Sequence, residues 1–200
     1  MLKTETKTRQ AITELAARFI AEDGLITYHA AKRKAADHLG YNKRKDLPTN
    51  IEIECSVATY QNLFQNTCQP QALFKLRHQA VEIMNLFKRF RPRLVGSVLT
   101  GTAGSHSEII VHLFSDDPEI ISIELLDNNI LHELGEKRIR TADKKTTAFP
   151  ACCFFAGDIP VVLIIFPEKD VNHAPVCPIN GKLMKRANTT KVKNLFQETG

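Results

Sequence analysis

The chain predicts an α+β protein, with a helical region over residues 1–93 and a small mixed β-sheet with flanking helices over residues 94–200. Two observations carry this. Through the first ninety or so positions apolar residues recur at three- and four-residue spacing, the signature of amphipathic helices. From Leu94 onward they gather instead into short β-type runs divided by Gly, Asp and Pro. No repeat, low-complexity tract or long linker interrupts the sequence.

In order along the chain, Ile12, Leu15, Ala16, Phe19 and Ile20 share one face of a first helix that should end near Asp23-Gly24. "YHAAKRKAADHLG" reads as a second helix closed by Gly40, "NKRKDLPTN" as a loop, and "IEIECSVATYQNLF" as a third helix. Pro70 suits the opening turn of a long helix whose Leu73, Leu76, Ala80, Ile83, Met84 and Phe87 form a core stripe before "RFRPR" breaks it. "LVGSVL" and "EIIVHLF" then read as two strands around a glycine-containing turn. Asp116-Asp117-Pro118 should start a helix over "EIISIELLDNN". "ACCFF-AGD-IPVVLIIFP" has the form of a β-hairpin with Gly157-Asp158 in its turn, and "RANTTKVKNLFQE" that of a terminal helix.

With 200 residues and 43% hydrophobic content the chain can bury a sizeable core. The opening MLKTETKTRQ lacks the apolar stretch of a signal peptide, and IPVVLIIF is far shorter than the roughly 20 residues that span a bilayer, so the expectation is a cytoplasmic protein with no membrane partner. Five cysteines without a CxxC pair point to reduced thiols. Adjacent Cys152 and Cys153 would face opposite sides of a strand, which suits packing better than a shared metal. The net charge of +5 comes from clusters: Lys32-Arg33-Lys34, Lys43-Arg44-Lys45, "KRFRPR" at 88–93, "EKRIR" at 136–140 and "KLMKR" at 182–186. Each suits either phosphate binding or a solvated face.

The stretch "GSVLTGTAGSHSEIIVHLF", residues 96–114, carries the most chemistry. As a strand its second half places Ile109, Val111 and Leu113 on one face and Glu108, Ile110, His112 and Phe114 on the other. Gly96-Ser97, Gly101 and Ser107-Glu108 stand at the spacing of the nucleotidyltransferase superfamily signature, which this segment resembles; there Gly-Ser precedes a strand reading Asp-hydrophobic-Asp. The resemblance extends to a small bacterial family of uncharacterised nucleotidyltransferase-like proteins, through "AARFIAEDG", "AAKRKAADHLG", "LPTNIEIE", "RPRLVGSVLTGTAG", "SEIIVHLF" and "LLDNNI".

The resemblance implies a nucleoside triphosphate cradled by Gly96, Ser97, Gly101 and Ser107, with Glu108 in the catalytic and magnesium-binding role. The glycines let backbone approach phosphate, and carboxylates at i and i+2 hold two magnesium ions. This chain departs from that pattern at Ile110, which fills the second acidic position, and in "PVVLIIF", which offers no third carboxylate. His112, on the face of Glu108, is a candidate substitute ligand. Three readings follow: a nucleotidyltransferase with an incomplete metal site, a nucleotide- or nucleic-acid-binding module that keeps the fold without the chemistry, and a DNA-binding protein. The last rests on "TRQAITELAARFIAEDGLITYHAAKRKAADHLG", which resembles the first helices of tetracycline-repressor-type regulators.

Overall fold

A computed structural model describes residues 2–23, 27–41, 47–143 and 145–196. The protein is α+β and divides into two compact units. The first comprises Met1–Ala72, Thr102–His106 and Pro178–Asn180; the second comprises Leu73–Gly101, Ser107–Cys177 and Gly181–Gly200.

The first unit is built on three helices, α1 (Leu2–Ala21), α2 (Tyr28–His38) and α3 (Asn50–Phe64). Its core is mostly small: Ile12, Ala16 and Ala17 of α1 meet Ala31, Ala35 and Ala36 of α2 and Ile53 and Val57 of α3. Three of these helix ends have a local cause. Thr27 caps α2 through the Ala30 N–H. The helix stops where Gly40 takes φ +66°, the Tyr41 N–H reaching back to the Ala36 carbonyl at 2.8 Å. Thr49 and Glu52 form a reciprocal capping box on α3. Glu52 also accepts a two-pronged contact from Arg9, at 2.8 and 2.6 Å, which holds its carboxyl down at about 2. Lys32 is spent inside this unit on the Pro48 carbonyl and Asn50, and Lys34 pairs with Asp23 and lies over the Phe19 ring. Gly24 and the Lys43-Arg44-Lys45 cluster lie outside the described residues.

Helix α4 (Cys68–Leu86) begins in the first unit and continues in the second, with Pro70 in its opening turn and the predicted stripe from Leu73 to Met84 buried, followed by buried Phe87. A short 3-10 turn and Arg91 at φ 49° end it. Next come β1 (Arg93–Val95), the single-turn helix α5 (Gly96–Thr100), β2 (Ile109–Phe114) and α6 (Glu119–Asp127). Three further strands, β3 (Glu133–Arg140), β4 (Thr146–Ala156) and β5 (Ile159–Phe166), precede the last helix, α7 (Thr189–Asn194).

The sequence predicts a strand over "LVGSVL". It stops at Val95, because Gly96 turns to φ +75° and the next residues coil into α5. The Asp116-Asp117 pair is also split in role. Asp117 accepts the Glu119 N–H at the start of α6, whereas Asp116 holds the Glu168 N–H after β5. The β4–β5 hairpin forms as expected, with Gly157 at φ +63° in its turn.

The strands make one mixed sheet in the order β1-β2-β5-β4-β3. β2 runs antiparallel to β1 and parallel to β5, placing Val95 opposite Ile110 and Val162 on the other side of it. Ile109, Val111 and Leu113 are fully buried on one face, as their alternation predicts. The opposite face is more covered than a cleft wall: Phe114, Phe149, Ala151, Val162, Ile164 and Phe166 form a second core, with Ile110, Ile139 and Cys153 half-buried at its margin. Cys152 and Cys153 take opposite faces, and burial pushes the Cys152 thiol up to about 11. Among the described residues no helix is long and apolar enough to cross a membrane.

Candidate functional site

The pairing of β1 with β2 gathers one end of the sequence motif. Val95 faces Ile110, so Gly96 and Ser97 leave β1 at the end of the ladder where Ser107 and Glu108 enter β2. Gly101 closes α5 at φ +97°, its N–H bonded to the Ser97 carbonyl at 2.8 Å. Arg77 of α4 donates to the Val98 carbonyl at 3.2 Å, placing a guanidinium at the C-terminal end of this single turn. Thus Gly96, Ser97, Gly101, Ser107 and Glu108 all belong to the second unit.

Ile110 occupies the centre of this arrangement. Its Cδ1 lies 3.6 Å from where a Cβ on Gly96 would stand, so an apolar side chain covers the glycine backbone where the resemblance expects a second acid. No carboxylate enters from the neighbouring strand, where Val162 faces Ile110. Among the described residues, no three His, Cys, Asp or Glu side chains are grouped so as to hold a metal ion.

Glu108 is half-buried just ahead of β2. Burial raises its carboxyl above the usual range, and the positive charge of Lys137 on β3 partly offsets this. A divalent cation would favour the ionised form far more strongly. Magnesium is commonly held by one or two carboxylates with substrate phosphates completing its shell, and Glu108 fits such a site only together with a triphosphate.

His112 is not brought to Glu108. Three residues stand between them, a rise of about 13 Å along an extended chain. His112 sits instead beside Arg93, its partner on β1. It is 1% exposed, and its Nδ1 accepts from Arg186 Nε at 3.2 Å, which leaves the ring proton on Nε2. Burial, reinforced by Arg186, depresses its pKa to about 3.

Sequence reasoning passed over Arg186, which belongs to the "KLMKR" cluster. Its guanidinium stacks over Phe114 and Phe166 and donates to the carbonyls of Asp170 and His173. The 88–93 cluster is likewise absorbed into the fold: Arg89 pairs with Glu124, and Arg91 with Glu168 at 3.0 Å. The "EKRIR" cluster lies on exposed β3, and there Glu136, Lys137, Arg138 and Arg140 form no ion pair with a described residue.

Comparison of the chain with protein-family models and with curated proteins finds no match.

Proposed function

We propose that this chain is a nucleotidyltransferase-like protein that binds a nucleoside triphosphate at the Gly96–Gly101 turn, with Glu108 sharing one magnesium ion with the phosphates. The observation that carries the reading is the convergence of Gly96, Ser97, Ser107 and Glu108 at one end of the β1–β2 ladder. Ser97 would donate its hydroxyl to a phosphate oxygen, and the glycine at φ +75° lets the backbone turn there. Ile110 limits the chemistry. It removes the i+2 carboxylate that two-metal transfer needs, so binding is the activity this site supports, with nucleotidyl transfer handicapped.

Calorimetry with magnesium and ATP or GTP tests this on the wild type, Ser97→Ala and Glu108→Ala. The expected result is binding by the wild type, weaker binding by Ser97→Ala and loss of magnesium dependence in Glu108→Ala. Ile110→Asp should strengthen the magnesium dependence of that binding. Absence of triphosphate binding in every form would overturn the proposal.

The exposed basic residues of β3 favour a second reading, a nucleic-acid-binding or regulatory module without catalysis. It predicts oligonucleotide binding that needs no magnesium, weakens steeply with salt and is indifferent to Glu108→Ala.

A further inference from the structure

The sheet has two edges, and they are finished differently. On β1, Leu94 exchanges backbone hydrogen bonds with Ala187, so the tail covers that side. β3 ends the sheet at the other side, and its residues are almost all exposed. Such an edge is a template for another strand.

Which groups it offers follows from the hairpin that joins β3 to β4. The Thr141 N–H bonds the Lys145 carbonyl at 2.8 Å, so in β3 the odd-numbered residues turn their N–H and C=O toward β4 and the even-numbered ones turn theirs outward. The Val176 N–H meets the outward Arg140 carbonyl at 2.8 Å, in agreement with this alternation, and closes the edge at that point. Among the described residues none outside β3 bonds the outward backbone of Leu134, Glu136 or Arg138, which is left for pairing.

We propose that β3 is a self-association edge: two copies of the chain add their β3 strands antiparallel about a two-fold axis through Gly135, making one sheet continuous through both. Facing residues in such a pair must share a sheet face, so the axis passes through a residue. An axis through Glu136 or Lys137 sets like charges against each other, and the second also needs the Arg140 carbonyl already held by Val176. With the axis at Gly135, Glu133 faces Lys137 of the second copy, and the reverse. The outward backbone of Leu134 meets that of Glu136, each such pair exchanging two hydrogen bonds. No side chain stands at the axis itself, where the strands come closest. Leu134, 73% exposed, lies diagonally across from Leu134 of the second copy, within reach of a long side chain. The charge order of the strand, Glu133 and Glu136 before Lys137, Arg138 and Arg140, is thereby complementary to itself reversed.

Sedimentation velocity on the full chain over a concentration series tests the proposal. The wild type should show a monomer–dimer equilibrium. Glu133→Lys or Lys137→Glu alone turns attraction into repulsion at two symmetric places and should weaken dimerisation about tenfold. The double exchange Glu133→Lys with Lys137→Glu should restore it. Glu136→Pro removes an outward N–H and none that β4 uses, and should give a monomer with an unchanged circular dichroism spectrum. A chain that is monomeric at every concentration overturns the proposal, as do a dimer indifferent to the single exchanges and a double exchange that recovers nothing.

Discussion

Gly96 at φ +75° is the residue on which the candidate site turns. A Cβ there would meet Ile110 Cδ1 at 3.6 Å, an ordinary contact, so the cost of Gly96→Ala is backbone strain, about 1–2 kcal/mol. Urea denaturation measures it, and adding Ile110→Ala should give no recovery. His112 gives a second prediction. Its folded pKa of about 3 lies below the ordinary 6.5, so between those values the unfolded chain takes up a proton that the folded chain refuses. The contribution to stability is intact above about pH 6.5 and is lost as pH falls toward 3, by up to about 1.4 kcal/mol per pH unit. His112→Gln, which keeps an acceptor for Arg186, should flatten that slope in denaturation curves taken at pH 7 and pH 5. At this scale the sequence made Glu108 and Ile110 legible as neighbours in a motif. It did not reveal the cover over His112, because Arg186 lies 74 residues away and reaches it only through the fold.

Elements were legible where their ends carry their own chemistry. The Thr49–Glu52 box, Gly40 after α2 and Asn188 ahead of α7 each satisfy backbone groups with a side chain or turn written next to the helix. Thr49→Ala should therefore cost the first unit about 1 kcal/mol, read as a lower midpoint in its thermal unfolding. Two elements were not legible. The sequence of α5 reads as strand because "SVL" is β-type in composition, and what ends the strand is a dihedral at Gly96. β3, ELGEKRIR, has too little apolar alternation to signal a strand. Its pairing with β4 along the whole length supplies what its own sequence does not.

At the scale of the whole molecule, each unit has its own apolar core, and the cores differ in kind. The first is rich in alanine, while the second buries Phe114, Phe149 and Phe166 with large aliphatics. Larger side chains bury more apolar surface per residue, so the second unit should outlast the first. All three tyrosines, Tyr28, Tyr41 and Tyr60, fall in Met1–Ala72, and the chain has no tryptophan. Tyrosine fluorescence therefore reports on the first unit alone, and far-ultraviolet circular dichroism on the helices and strands of both. In guanidinium the fluorescence transition should come at lower denaturant than the circular dichroism transition; coincident curves would show one cooperative block instead.

The first unit is discontinuous along the chain, and this bears on how the protein can be cut. Gln61, 5% exposed on α3, gives its amide to the Thr102 carbonyl, Gln69 gives its own to Ala103, and the Thr102 hydroxyl donates to Glu54. These partners arrive from the middle of the glycine motif, some thirty residues after the last helix turn they satisfy. A fragment ending at Ala72 would keep α1, α2 and α3 and leave Gln61 without its acceptor, and the same cut deprives Thr102 and Ala103 of their partners. Peptide 102–106 is in this sense a strut supplied late to a frame begun early, and only a chain translated past it can finish either part.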